Sequence, residues 1–158
     1  MSADEFRNAM ALLAAPVAIV TTLFDGRRWG FTASAVTGLS LSPPLVSVAI
    51  DRASRSHGAF VLAKEFVVNV LAEQHRELAS RFARLGPDKF ANHTDSTFPG
   101  TSLPAIDQAI AQYRCTRQAV VPVGDHDLVV GEVSMVLRDA ARRPLLWYER
   151  GFHAAVRL

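Results

Sequence analysis

The stretch VAIVTTLFDGRRWGFTAS, residues 17–34, predicts a β-hairpin from which the rest of the fold can be worked out. Residues 17–23 are apolar and rich in β-branched side chains, and residues 29–34 resume an extended pattern. Between them stands Asp25-Gly26, a pair that favours the tight turns of hairpins. The N-terminal part of the chain therefore begins an antiparallel sheet.

Further extended runs follow along the chain, separated by turn residues and a few short helical patterns. A second hairpin is predicted around Gly124-Asp125-His126-Asp127, and helices are predicted over residues 3–14, 57–63 and 73–83. The additional predicted strands are residues 45–50, 66–71, 110–121, 128–137, 145–148 and 152–156. This order predicts a mainly β fold, a closed or half-closed antiparallel barrel with a few peripheral short helices.

Composition limits the class of protein. The chain has 158 residues, of which 49% are hydrophobic and 20% charged, as expected for one domain over residues 1–158. Its 17 basic and 15 acidic residues form no blocks, which argues against nucleic acid as a partner. Cys115 is the only cysteine, so we expect a buried side chain in a reducing cytoplasm. The acidic N-terminus and the lack of a long apolar run predict neither a signal peptide nor a membrane span.

The familiar signatures of several chemistries are missing. None of the five histidines has metal-ligand spacing to another, and we expect no metal. The sequence contains no GxSxG, no GxGxxG and no GxxxxGK[ST], which argues against a hydrolase elbow and against nucleotide binding by a glycine-rich loop.

Residues 32–56 are the best candidate for a binding site. The small side chains of residues 32–35 would let a flat heteroaromatic ring approach main-chain donors and acceptors. Ser54, Arg55 and Ser56 stand where a helix is predicted to begin, and would suit a phosphate. The alternative, a serine- and threonine-rich strand and turn beside a solvated Arg55, is left open by composition.

In their order along the chain, several segments resemble the flavin reductase-like domain, the small reductase component of two-component flavin monooxygenases. They are PVAIVTT (16–22), DG (25–26), GFTASAVTGLSLSPPLVSVAI (30–50), DRASRS (51–56), FVVNVL (66–71), RFA (81–83), DKF (88–90) and GDHDLVVGEV (124–133). The resemblance covers nearly the whole chain. It implies an FMN-binding split β-barrel, a homodimer that uses NADH or NADPH to reduce FMN or FAD for a separate oxygenase.

The resemblance also implies a set of cofactor-binding residues, and none that is catalytic in its own right. It implies contact with the flavin ring, the ribityl phosphate or the nicotinamide for Thr32, Ala33, Ser34, Ala35, Val36, Ala49, Ile50, Asp51, Ser54, Arg55, Ser56, Phe82 and His126. For Phe82 a core-facing helix position is an equal alternative, and for His126 an exposed turn.

Other functions stay open at this point. A flavin carrier or redox sensor without reductase turnover would need the same ring wall and phosphate loop. Pyridoxine phosphate oxidation and haem handling, which related barrels perform, fit the GDH turn and the TASAVTG segment less well. The pattern-free residues 86–104 are expected to form a loop that moves over the site.

Overall fold

The computed structural model describes residues 1–84, 89–91 and 96–158. Within these ranges the helices are α1 (Ala3–Met10), α2 (His57–Leu62) and α3 (Arg76–Ala83), with a 3₁₀ turn at Glu73–His75. The strands are β1 (Ala15–Pro16), β2 (Ala18–Phe24), β3 (Arg27–Ala33), β4 (Val36–Leu41), β5 (Pro44–Asp51), β6 (Glu65–Val70), β7 (Ala111–Val123), β8 (His126–Arg138), β9 (Leu145–Tyr148) and β10 (Gly151–Ala154).

Seven strands form one antiparallel sheet that curls into a barrel. Their order is β3-β2-β6-β7-β8-β5-β4, so β3 and β4 lie at opposite edges. Only Ser34 and Ala35 separate the end of β3 from the start of β4. That link spans at most about 11 Å, whereas six strand spacings in a flat sheet cover about 29 Å. The two edges must therefore come together, which confirms the antiparallel barrel with peripheral helices.

The hairpin of residues 17–34 is confirmed, and β2 is buried on both faces. β2 and β3 pair from Ala18–Ala33 to Phe24–Arg27, and Asp25 and Gly26 have the positive φ angles of 52° and 70° that a tight hairpin turn uses. Ala18 and Val20 of β2 point into the barrel core, while Ile19 packs outside it with α3. Burial of both faces explains why residues 17–20 are all apolar instead of alternating.

Asn69 is the one polar side chain in the predicted strand 66–71, and it is completely buried. Its amide nitrogen donates to the main-chain oxygen of Ile19 at 2.9 Å. Its amide oxygen accepts from the main-chain nitrogen of Ile106 at 3.0 Å and from Gln112 at 2.9 Å. Asn69 thus ties three segments of the chain together without leaving a buried polar group unpaired.

The structure differs from the sequence predictions in several elements. Strand β4 was not predicted, because its side chains are mostly exposed and show no apolar alternation. Helix α1 ends at Met10, short of residue 14, and the helix predicted from residue 73 begins with the 3₁₀ turn. The predicted burial of Cys115 is confirmed, and burial raises the pKa of its thiol to about 12.

The predicted mobile loop is only partly described, since residues 85–88 and 92–95 lie outside the described ranges. For residues 96–104 the prediction of a segment over the site is wrong. Phe98 and Leu103 are buried against Val67, where they anchor this part of the loop to the barrel. Separately, none of the helices within residues 1–84, 89–91 and 96–158 is long and apolar enough to cross a membrane.

Candidate functional site

A groove of about 1300 Å³ lies where the two edges of the barrel meet. β3 pairs with β2 on one side only, and the pairing of β4 with β5 stops at Val36–Val48. The last residues of β5 therefore face β3 across a split. At the closed end of this split, the main-chain nitrogen of Ala49 donates to the main-chain oxygen of Ala35 at 3.1 Å. Strand edges of this kind offer main-chain donors and acceptors to a flat ring.

The groove gathers nearly all the residues that the sequence singled out. Those that line it are Thr32, Ala33, Ser34, Ala35, Ala49, Ile50, Asp51, Ser54, Arg55, Ser56, Phe82 and His126. Val36 is not among the lining residues, because it already belongs to β4 and pairs with Val48. The contribution of each residue to ligand binding stays a prediction.

Two of the predicted hydroxyl groups are engaged within the protein. Ser56 is buried and its hydroxyl donates to the main-chain oxygen of Gly30 at 3.1 Å, which fastens the 51–56 loop to β3. Thr32 donates to the main-chain oxygen of Ala79 at 2.6 Å, which fastens β3 to α3. These hydroxyls thus hold the walls of the groove, while the side chain of Arg55 is exposed.

Lys89 is a groove residue that sequence reasoning missed, although the DKF segment contains it. Its ammonium group donates to the main-chain oxygens of Gly30 at 3.2 Å and Phe82 at 3.1 Å. Partial burial lowers the pKa of Lys89, and the nearby positive charge of Arg55 lowers it further. Among the described residues neither cation forms an ion pair. We call Arg55 and Lys89 the cation corner; it is suited to a phosphate.

Phe82 lies in the core, as its alternative interpretation held, and also forms part of the groove wall. It is 1% exposed and packs edge-on against Phe90, with ring centroids 5.0 Å apart. Gly30 makes room for this ring, because a Cβ atom at residue 30 would stand 2.7 Å from it. The absence of a side chain at residue 30 is therefore required by the packing of α3 on β3.

A buried carboxylate connects the 51–56 loop to the β7–β8 turn. Asp127 is 7% exposed and accepts from Arg52 at 3.0 and 3.2 Å and lies 2.6 Å from His57 Nε2. Arg52 also donates to the main-chain oxygen of Gly124 at 2.8 Å. We call Asp127, Arg52 and His57 the Asp127 cluster; hydrogen bonds from Arg52 and then His57 lower the pKa of Asp127.

The pairing of β8 with β5 and a contact with Asp125 position His126. His126 pairs with Asp51 across the β5–β8 ladder, so its side chain reaches the end of the groove near Asp51. Its Nδ1 atom is 2.7 Å from a carboxylate oxygen of Asp125, and this hydrogen bond lowers the pKa of Asp125. The GDHD segment predicted the turn, whereas the different contacts of Asp125, His126 and Asp127 are seen only in the structure.

The fold and groove define the class of protein: a split barrel with a ring-sized cleft between unpaired strand edges and a cationic corner beside it. The model of the flavin reductase-like domain matches residues 10–155. The chain belongs to this family.

Individual relatives agree with the family. The chain is 47% identical to an NADH:riboflavin 5'-phosphate oxidoreductase of Streptomyces pristinaespiralis, with 95% of this chain and 86% of the relative covered. It is 36% identical to the reductase subunit of a flavin-dependent monooxygenase of Rhodococcus jostii, over 96% and 76%. An NADH:FAD oxidoreductase of Streptomyces globisporus, solved in complex with NAD and FAD fragments, superposes with a TM-score of 0.91 at 27% identity over 97% and 92%.

Proposed function

We propose that this protein oxidises NADH, reduces FMN or FAD, and supplies the reduced flavin to a separate oxygenase. The observation that carries the proposal is the groove itself, which combines unpaired main-chain edges with the cation corner. Relatives whose names specify NADH and a flavin support the reductase over the other functions that sequence reasoning left open.

The residues of the chain have tasks of binding and orientation. A bound flavin supplies the redox chemistry, so the protein needs no nucleophile and no acid–base pair. The edges of β3 and β5 would hold the ring through main-chain groups, and Arg55 and Lys89 would bind the phosphate. His126 would position the nicotinamide at the Asp51 end of the groove. The catalytic gain comes from holding two rings in contact and in register.

We propose NADH as the hydride donor. NADPH is the alternative that the assay below tests. Both donors deliver the same reactive ring, so the ring site cannot choose between them. The choice rests on the relatives, whose names specify NADH. Because NADH is an intracellular reductant, the proposed activity also fits the cytoplasmic location that we expect from the sequence.

We propose a homodimer on the basis of apolar surface that this chain alone leaves uncovered. No residue of α1 is buried, and Phe6 and Met10 on this helix are 52% and 46% exposed. On β8, Met135 and Val136 are each 47% exposed. Apolar surface of this kind is typical of protein interfaces. Light scattering on purified protein is expected to give twice the chain mass of 17.2 kDa; the mass of one chain would contradict the dimer.

We propose a partner oxygenase because the relative from Rhodococcus jostii described above is named as the reductase subunit of a flavin-dependent monooxygenase. Reduced flavin reacts with oxygen, so transfer to an acceptor enzyme has to compete with that reaction. Oxygenation of a substrate by a separate flavin-dependent oxygenase, driven only by this protein, NADH and flavin, would support the proposal.

The decisive experiment is a spectrophotometric assay of NADH oxidation at 340 nm with added FMN and then FAD, repeated with NADPH. Flavin-dependent oxidation of NADH is the expected result. Binding of flavin with no consumption of either nicotinamide would contradict the reductase and favour a flavin carrier or redox sensor.

A further inference from the structure

The 51–56 loop, which carries the predicted phosphate-binding residues, is held at both ends by one carboxylate. At the start of the loop, Arg52 donates to Oδ1 of Asp127 at 3.0 and 3.2 Å. Directly after the loop, Nε2 of His57 lies 2.6 Å from Oδ2 of the same Asp127. Both oxygens of a buried carboxylate are therefore used to fix the two ends of a short loop.

Arg52 also contacts the β7–β8 turn on both sides of His126. Its guanidinium donates to the main-chain oxygen of Gly124 at 2.8 Å as well as to Asp127, and its main-chain nitrogen donates to the oxygen of Asp125 at 3.1 Å. A guanidinium has a rigid, planar set of donors, so two acceptors bound to it are held in a fixed relation to each other. The side chain of Arg52 thus fastens the turn to the loop.

The Asp127 cluster lies outside the groove that it adjoins. Successive residues of a strand point to opposite faces, so His126 reaches the groove while Asp127 points away from it. None of the three cluster residues belongs to the described residues that line the groove. The cluster can therefore affect a bound ligand only through the loop and the turn that it holds.

Stability alone is a weak explanation for the cluster. The side chain of Arg52 is 42% exposed, and ion pairs that are this accessible to water contribute little to the free energy of unfolding. The contacts are more informative about geometry, because they join the predicted phosphate side of the groove to the predicted nicotinamide side.

We propose that Asp127, Arg52 and His57 are positioning residues that hold the 51–56 loop and His126 in one fixed relation. The loop and His126 would then present the two ligands of the reaction in register, which is where the catalytic gain arises. The inference rests on the proposed flavin reductase function and deepens it, because it assigns a task to residues that touch neither ligand.

Arg52→Ala is the variant that tests this role. It removes the side-chain bonds to Asp127 and Gly124 but keeps the main-chain bond to Asp125, so the β5–β8 ladder can still form. Arg52→Lys keeps the charge and loses the planar fork, and should restore part of the function. The control is Arg143→Ala, which removes an arginine from an ion pair with Glu73 at a position that does not line the groove.

The first measurement is amide hydrogen exchange on the protein without ligand. Arg52→Ala should speed exchange in residues 52–57 and in residues 124–127 together, while β2 and β6 keep the rates of the unmodified protein. Faster exchange in neither segment, or an equal increase throughout the sheet, would overturn the positioning role. If Arg52→Ala does not fold, His57→Ala undergoes the same measurement, since it frees the other oxygen of the same carboxylate.

The second measurement is a double-mutant cycle with His126→Ala, in which NADH oxidation is followed at saturating FMN. Arg52→Ala alone should lower kcat/KM for NADH about tenfold, because the rings are less well aligned. In the His126→Ala background the same substitution should have less than about a threefold effect, because its influence passes through His126. Equal effects in both backgrounds would overturn the proposal, and Arg143→Ala should match the unmodified protein.

The proposed function is tested separately by the unmodified protein with NADH and FMN. Turnover by the unmodified protein, together with unchanged hydrogen exchange in Arg52→Ala, keeps the reductase and overturns the positioning role. Absence of flavin-dependent turnover in the unmodified protein contradicts the reductase itself, and the positioning role with it.

Discussion

Asn69 and the cation corner are both polar, yet they differ in where their partners lie. Every hydrogen-bonding atom of the Asn69 amide has a partner inside the protein. Arg55 and Lys89 instead stand beside each other at an open groove, and among the described residues no carboxylate pairs with either. A polar group with all its partners inside stabilises the fold. Like charges held close together cost stability, and the proposed anionic ligand would offset that cost.

The largest effect on stability is expected from removing the buried Asn69 amide. Asn69→Ala removes the acceptor of the Ile106 main-chain nitrogen in a buried site, and one of the two acceptors of the Gln112 amide. Because each buried group left unpaired costs on the order of 1–3 kcal/mol, the free energy of unfolding should fall by about 3 kcal/mol.

Chemical denaturation measures this change, with Gln118→Ala as the control, since the Gln118 side chain is exposed on β7. A decrease below about 0.5 kcal/mol, the size usual for surface substitutions, would mean that water replaces the missing amide. The folded fraction of Asn69→Ala should still bind flavin with unchanged affinity.

Arg55→Ala breaks the other side of the comparison. Removing a charge-assisted hydrogen bond to phosphate should weaken flavin binding by about 1.5–3 kcal/mol, while the melting temperature stays the same or rises, because repulsion with Lys89 is removed. Fluorescence titration with FMN measures the affinity. Unchanged affinity would remove Arg55 from the binding site, and Arg138→Ala controls for net charge.

His126→Ala tests whether the two parts of the groove bind different ligands. His126 lies at the Asp51 end and the cation corner near Gly30, so the two should affect different ligands. We expect the KM for NADH to rise or kcat to fall by about tenfold, equivalent to about 1.4 kcal/mol, with little change in flavin affinity. An equal decrease in flavin affinity would show that His126 shapes the groove instead of contacting the nicotinamide.

Asp127→Asn gives the smallest expected effect and depends on pH. Arg52 and His57 hold the pKa of Asp127 below its ordinary value of 3.8. The carboxylate therefore stabilises the fold above pH 3.8, and this contribution is lost as the pH falls below 3.8 through the folded-state pKa. The difference in melting temperature between the two proteins should shrink over that interval. A difference that stays constant with pH would mean that Asp127 acts through packing and not through its charge.

The sequence predicted the parts of the fold that depend on local chemistry. Asp25-Gly26 supplies the positive φ angles that a tight turn needs, so the first hairpin could be predicted. Strand β4 could not, because its exposed residues carry no periodic signal and its place depends on pairing with β5. The same limit applied to the groove. Its contiguous residues were found, whereas Lys89, which is far from them in sequence, joins it only because it packs against Gly30 on β3.

The two-residue link between β3 and β4 has a consequence for the kinetics of folding. These strands are neighbours in sequence but occupy opposite edges of the sheet, so the groove between them exists only once the strands in between have paired. One of the required ladders joins Leu45 to Glu132, a contact of high sequence separation and therefore slow to form. The groove should thus be assembled late on the folding pathway and disappear early on unfolding. A flavin that binds only the completed barrel would then slow unfolding while leaving the folding rate unchanged.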